Sequence, residues 1–204
     1  HKKNYKITGN YLKGFFCKCM IEKAIHAPNP KAAMKYIKAA LDNDNTSRSG
    51  HIIKGTLLLK SEKYNKAADE FGYVINKGLL RDIKDFKQIE KGYIAAGKEA
   101  ELTELLKKNA EEGNINPFVH IALSDYYEYG GDKARAVSIL QSYMDLPYAK
   151  VIAAKTFSEK SGDKMTARLI KDVFLYECSV CGLNLNSYKD DCPKCYSFDT
   201  IYPK

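Results

Sequence analysis

Apolar residues between positions 14 and 147 recur at helical spacing, and the pattern is itself copied along the chain. Ala33, Ile37, Ala40 and Leu41 lie at i, i+4, i+7 and i+8, one face of a helix, and Ala67, Phe71, Val74 and Ile75 repeat that stripe 34 residues later. Within 48–81, Gly55 falls where a small residue lets two helices approach. Tyr64 precedes Ala67 by three and Phe71 follows it by four, so all three share one inter-helix seam. Residues 83–116 carry a degenerate copy in Phe86, Ile89, Tyr93, Gly97, Leu102 and Leu106. A further copy begins at Pro117, a good first-turn residue, and runs through Leu123, Tyr127, the Gly130-Gly131 turn, Ala136 and Leu140.

Thirty-four residues is the tetratricopeptide period, in which two antiparallel helices form a unit that buries its apolar face against its neighbours. The expectation is an all-α tetratricopeptide-repeat solenoid over residues 1–175. It would hold four paired units and a shorter closing pair, 148–175, that turns at Ser161-Gly162-Asp163 and covers the last repeat with Met165, Leu169, Ile170, Val173 and Phe174. Residues ahead of Gly14 read as the remnant of an earlier repeat. The first helix of each unit would line a concave face. On that register Lys84, Lys87 and Lys91 present three ammonium groups, with Ile121, Asp125 and Tyr129 beside them, as the expected partner-binding surface. The lysine stripe fits a plain solvated face equally well.

At Tyr176 the character changes. Cys178-Ser-Val-Cys181-Gly182 and Cys192-Pro-Lys-Cys195-Tyr196 are two C-x₂-C turns, and each aims two sulfurs at one point. A tetrathiolate site for one metal ion follows, over a small domain of residues 176–204. Zinc is preferred, and iron accepts the same ligands. Four protein sulfurs leave no open coordination position, which argues against hydrolytic metal chemistry. So short a module cannot bury enough surface to fold alone, so metal binding supplies much of its folding free energy, with Tyr176, Leu183, Leu185, Tyr188, Phe198, Ile201 and Tyr202 as its shielding residues. Cys17 falls at a seam position and is expected to be a buried thiol.

Charge narrows the partners. The chain carries +8, yet residues 176–204 hold three lysines against four acids, so the helical part alone is more basic than the whole. Basic partners are disfavoured. The lysines are spread over many helices without a helix-turn-helix or RNA-binding signature, and no nucleic-acid role is expected. There is no phosphate loop, no G-x-S-x-G elbow and no H-E-x-x-H, so no enzyme is expected. No run reaches the roughly 20 apolar residues of a membrane span. The fragment reads as soluble, and its start at His1 suggests an excised portion from which an N-terminal membrane anchor is missing.

Repeats followed by Tyr176-x-Cys178-x-x-Cys181-Gly182, a spacer, Cys192-Pro193-x-Cys195 and Thr200-Ile201-Tyr202-Pro203 resemble the lipopolysaccharide assembly protein B family, as do Arg48 through Phe71 and the turn from Gly97 to Leu102. That family joins tetratricopeptide repeats to a rubredoxin-like C-terminal domain. The resemblance implies a non-enzymatic adaptor on the cytoplasmic side of the bacterial inner membrane. Such an adaptor presents the lipid A pathway deacetylase to the membrane protease FtsH and communicates with other lipopolysaccharide assembly proteins. It also implies that Cys178, Cys181, Cys192 and Cys195 are the family's metal ligands. The chain departs from the family at Tyr196, where such knuckles often carry glycine, and at Asp190-Asp191, where the approach to the second knuckle is more aromatic. The reading from another class is an iron-binding electron-transfer module on a protein-docking scaffold.

Overall fold

The computed structural model describes residues 2–112, 116–143, 176–186 and 188–203. Eight helices are among them: α1 (Lys2–Ile25), α2 (Pro30–Asn43), α3 (Arg48–Lys60), α4 (Tyr64–Asn76), α5 (Ile83–Ala95), α6 (Glu99–Glu111), α7 (Pro117–Tyr129) and α8 (Lys133–Tyr143). They pack in consecutive pairs, α1 on α2, α3 on α4, α5 on α6 and α7 on α8, and each pair leans on the next. The second helices begin at 30, 64, 99 and 133, so the sequence period is the structural period to within one residue. The expected closing pair, 148–175, lies outside the described residues.

Local chemistry sets each start and stop. The side chains of Asn29, Ser47, Asp82 and Asn116 accept backbone N–H groups of the first turns of α2, α3, α5 and α7, and Pro30 and Pro117 occupy first-turn positions whose N–H has no partner within the helix. The turns inside the last three of the four helix pairs repeat one hydrogen-bond scheme: Lys63, Lys98 and Asp132 donate to Leu58, Tyr93 and Tyr127, and the residue before each donates to Leu59, Ile94 and Glu128. That scheme needs a left-handed residue, supplied by Glu62, Gly97 and Gly131.

Phe71 of α4 is the keystone of the core. Its fully buried ring lies between Gly55 of α3 and Gly92 of α5, close enough that a Cβ on either glycine would sit 2.4 Å from a ring carbon. Two helices of adjacent units thereby close on one ring. Around it Val74, Ile75, Ile89, Tyr93, Leu102 and Leu106 join the same core, which continues into Tyr176, Cys178, Leu185, Cys192 and Ile201 of the cysteine module.

That module is a three-stranded antiparallel sheet, β1 (Tyr176–Cys178), β2 (Asn184–Leu185) and β3 (Ile201–Pro203), in the order β2-β1-β3. Tyr176 pairs with Leu185 on one side and Pro203 on the other, which places both C-x₂-C turns at the same end of the sheet.

Candidate metal centre

The two cysteine turns are built alike. In the first, Cys178 N–H donates to Leu183 O (2.9 Å) and Gly182 N–H donates to Cys178 O (2.9 Å). In the second, Cys192 N–H donates to Ser197 O (2.9 Å) and Tyr196 N–H donates to Cys192 O (2.8 Å). Gly182 and Tyr196 therefore hold equivalent places, and both are left-handed, at φ +68° and +57°. The departure noted at Tyr196 is a bulky residue held where glycine is the relaxed choice.

All four sulfurs lie within 4.8 Å of one another. Cys178 Sγ is 3.7 Å from Cys195 Sγ, and Cys181 Sγ is 3.5 Å from Cys192 Sγ. Tetrahedral coordination at a metal–sulfur distance of about 2.3 Å separates the sulfurs by about 3.8 Å. The spacing fits a single zinc or iron ion. It also agrees with four free cysteines.

The electrostatics call for a cation. Burial opposes ionisation of Cys178, but the Thr200 hydroxyl and the backbone N–H groups of Cys181 and Val180 outweigh it and draw the thiol down to about 6. Cys181 moves the other way, to about 12, through burial first and then the sulfurs of Cys192, Cys195 and Cys178. One thiolate is stabilised by the protein itself, and a full tetrathiolate requires positive charge at its centre.

The second turn also carries an acidic edge that meets the helices. Asp199 N–H donates to Asp190 O (2.8 Å), which brings the two acids together at the base of the hairpin. The Asp199 carboxylate then accepts from Ser47 Oγ (2.9 Å), Ser49 Oγ (3.1 Å) and Ser49 N–H (3.2 Å) at the N-terminus of α3. A residue 150 positions away thus caps that helix beside its own cap, Ser47, where the helix dipole favours an anion. Asp190 meets Arg48 at 3.3 Å, and Asp191 meets Lys18 of α1 at 2.7 Å. Arg48 also pairs with Asp85 of α5, and its guanidinium lies 4.6 Å from the Tyr188 ring centre. Arg81 lies 4.1 Å from the Tyr202 ring centre, while the Tyr176 hydroxyl donates to Arg81 O (3.2 Å). This docking explains why the first turn of α3, Arg48-Ser49-Gly50-His51, is polar and yet buried.

Burial raises Asp85 to about 6 against the pull of Arg48, and it raises Asp199 as well, opposed by Arg48 and by hydrogen bonds from Ser49 and Ser47. Arg48 therefore serves three carboxylates, of which Asp85 is buried and Asp199 half-buried.

Other expected residues fall variously. Cys17 is buried, and burial lifts its thiol to about 11. Lys84, Lys87 and Lys91 are exposed on α5. Tyr129 is 88% exposed and Asp125 is half-buried, but Ile121 is 0% exposed and belongs to the core, so it lines no groove. The reason lies in α7, where Phe118, Val119, Ile121, Ala122 and Leu123 are all buried between α5, α6 and α8 and the apolar face is wider than one stripe. His51, whose sequence context shows no partner, is locked between Glu70 (2.8 Å) and the Asn45 carbonyl (2.9 Å) and stacks on Tyr73. Arg48, Asp85 and Asp199 were not among the expected site residues. A sequence signal for their pairing is the charge contrast between an acidic tail and a basic body.

No protein-family model matches the chain. It is 23% identical, over 203 aligned residues that cover 93% of its length, to lipopolysaccharide assembly protein B of Escherichia coli K12, and equally to that protein in the O6:H1 and O157:H7 strains. The chain spans about half the length of these relatives, 52%. Among the described residues no helix is long and apolar enough to cross a membrane. Paired helices that end in a converged tetracysteine cluster, with similarity running along nearly the whole chain, make this protein a distant homologue of the lipopolysaccharide assembly protein B family.

Proposed function

We propose that the chain is a non-enzymatic adaptor. In this reading residues 1–175 form a tetratricopeptide-repeat solenoid and residues 176–204 a rubredoxin-like zinc ribbon, and the two act as one recognition body on the cytoplasmic face of a bacterial inner membrane. The observation that carries it is the docking of the acidic knuckle on Lys18 of α1 and on Arg48 and the N-terminus of α3, which ties the last part of the described chain to two separate helices. A bound divalent metal would offset half the charge of the four thiolates and hold the second turn closed. The chain's own residues do the rest: Asp190, Asp191 and Asp199 fix the module against the helices, and the exposed faces of α5 and α7, with Lys84, Lys87, Lys91 and Tyr129, are left for a protein partner. By relationship the partners are the membrane protease FtsH and the deacetylase that commits precursor to lipid A, brought together for degradation.

The test is a crosslinking pull-down from the native membrane, paired with elemental analysis of the purified chain. The adaptor reading expects about one zinc per chain and co-capture of protease and deacetylase. Cys192→Ser should lose the metal and weaken capture. Capture of neither protein by metal-loaded wild type, or undiminished capture by the metal-free variant, would defeat it.

A further inference from the structure

Where the module meets the helices there is an open cleft of about 800 Å³. Its walls come from α1 (Lys13, Gly14), the segment from Leu41 to Thr46, Arg48 of α3, the approach to α5 (Leu79, Arg81) and the module (Phe198 to Thr200, Tyr202), and most of that lining is polar. It exists only because the module is docked.

Arg81 is the unexplained group in it. The residue is 6% exposed; its backbone N–H donates to Asp85 Oδ2 (3.4 Å), but among the described residues no carboxylate pairs with its guanidinium. Its Nη1 donates to the carbonyls of Gly78 (2.7 Å) and Leu80 (3.3 Å), and one face lies on the Tyr202 ring. These are all neutral groups. A guanidinium has five N–H donors, so about three remain. Burial holds Arg81 below its ordinary value, the direction expected of a cation without a counter-charge. Arg48 is equally buried but has three acids around it. Burying a charge unpaired costs several kcal/mol, and a planar fork of donors matches a carboxylate.

The rest of the lining selects the ligand. Asp42, Asp44 and Asp199 also face the cleft. Asp199 is engaged with Ser47 and Ser49, and Asp44 with the Thr46 N–H and hydroxyl, but all three repel a multiply charged anion such as phosphate. Asn43, Asn45, Thr46 and Thr200 offer amide and hydroxyl groups suited to a peptide backbone.

We propose that this seam is a binding site for an acidic peptide segment of a partner protein, one glutamate or aspartate carboxylate entering toward Arg81 while the polar walls hold the adjoining backbone. The ligand class rests on the adaptor reading; the site does not. Because the walls belong to both parts of the molecule, an occupied cleft also braces the module against the helices.

The experiment uses isotope-labelled, metal-loaded full chain titrated with acetyl-Ser-Glu-Ser-amide, its Gln isostere and inorganic phosphate, each up to millimolar concentration, while the Arg81 Nε–H and the Thr200 and Tyr202 amides are followed by NMR. The Glu peptide should shift all three saturably, and the Gln peptide should bind roughly tenfold more weakly, as expected for loss of a charge-assisted pair. Arg81→Gln should abolish the difference between the two peptides, and Arg81→Lys should retain part of it. Equal response to both peptides, no response to either, or stronger response to phosphate than to the Glu peptide would each overturn the proposal. These titrations on wild type need no variant to fold. Should the native pull-down succeed and still be indifferent to Arg81→Gln, the adaptor reading stands and this site falls alone.

Discussion

Closure of α3 and α5 on one aromatic ring makes a sharp prediction about Gly92. A Cβ there would lie 2.4 and 2.5 Å from two ring carbons of Phe71, against an ordinary carbon–carbon contact of about 3.5–4.0 Å. The ring cannot retreat, because its opposite edge faces Gly55, where a Cβ would also meet ring carbons at 2.4–2.8 Å. Gly92→Ala must then push α5 outward by about 1 Å or force Phe71 off its rotamer, at roughly 3 kcal/mol, the upper end of overpacking costs. Alanine's better helix propensity returns about 1 kcal/mol. The net expectation is a loss of about 2 kcal/mol, read as a lower urea midpoint at unchanged slope. Phe71→Leu in the same chain should relieve the clash, so the double variant is more stable than the sum of the two single losses by about 1 kcal/mol or more. A neutral or stabilising Gly92→Ala, or strict additivity with Phe71→Leu, would refute the argument. The variant also has a reach beyond the core: Asp85 is on α5 and Arg48 on α3, so the shift should loosen the cysteine module, seen as faster hydrogen exchange at Ser49 N–H.

Further outcomes are expected at the docking face and the metal turns. Arg48→Ala leaves the buried Asp85 and the half-buried Asp199 without their cation and should cost about 3–5 kcal/mol of thermal or urea stability, with metal stoichiometry retained. Asp85 takes up its proton more readily folded, at about 6, than unfolded, near 4, so it favours the folded chain below about pH 4 and loses that contribution as pH rises through about 6. Relative to Asp85→Asn, which cancels the thiol titrations, wild type should lose about 3 kcal/mol across that window in urea melts at stepped pH; a flat or rising difference contradicts the burial argument. Tyr196→Gly removes left-handed strain from a largely exposed residue and should stabilise the module by roughly 0.5–1 kcal/mol, measured as slower metal loss to a competing chelator.

How much of this is legible in the sequence follows from the range of each interaction. The helix pairs can be read because stripes such as Ala67, Phe71, Val74 and Ile75 recur every turn and every 34 residues, and the four cysteines because two residues between ligands is a local geometric demand. Ile121 misleads because α7 is apolar on most sides, and a helical register alone does not say which side meets water. Tyr196 is conspicuous as a residue, but its left-handed backbone is visible only in the fold. Hardest of all is the docking face. Asp199 and Ser49 are joined across 150 residues, and nothing periodic connects them. The scarcity of arginine, four of 33 basic residues, is the one hint that Arg48 and Arg81 do what lysine does not.

The cap that Asp199 places on α3 has a consequence during synthesis. At a ribosomal pace of about 5–20 residues per second, α3 emerges on the order of 10 s before the aspartate that completes it. Over that interval the Ser49 N–H in the first turn of the helix lacks its carboxylate acceptor. A nascent chain that stops short of Asp199 keeps that N–H open, which marks it by a missing negative charge at a single helix end.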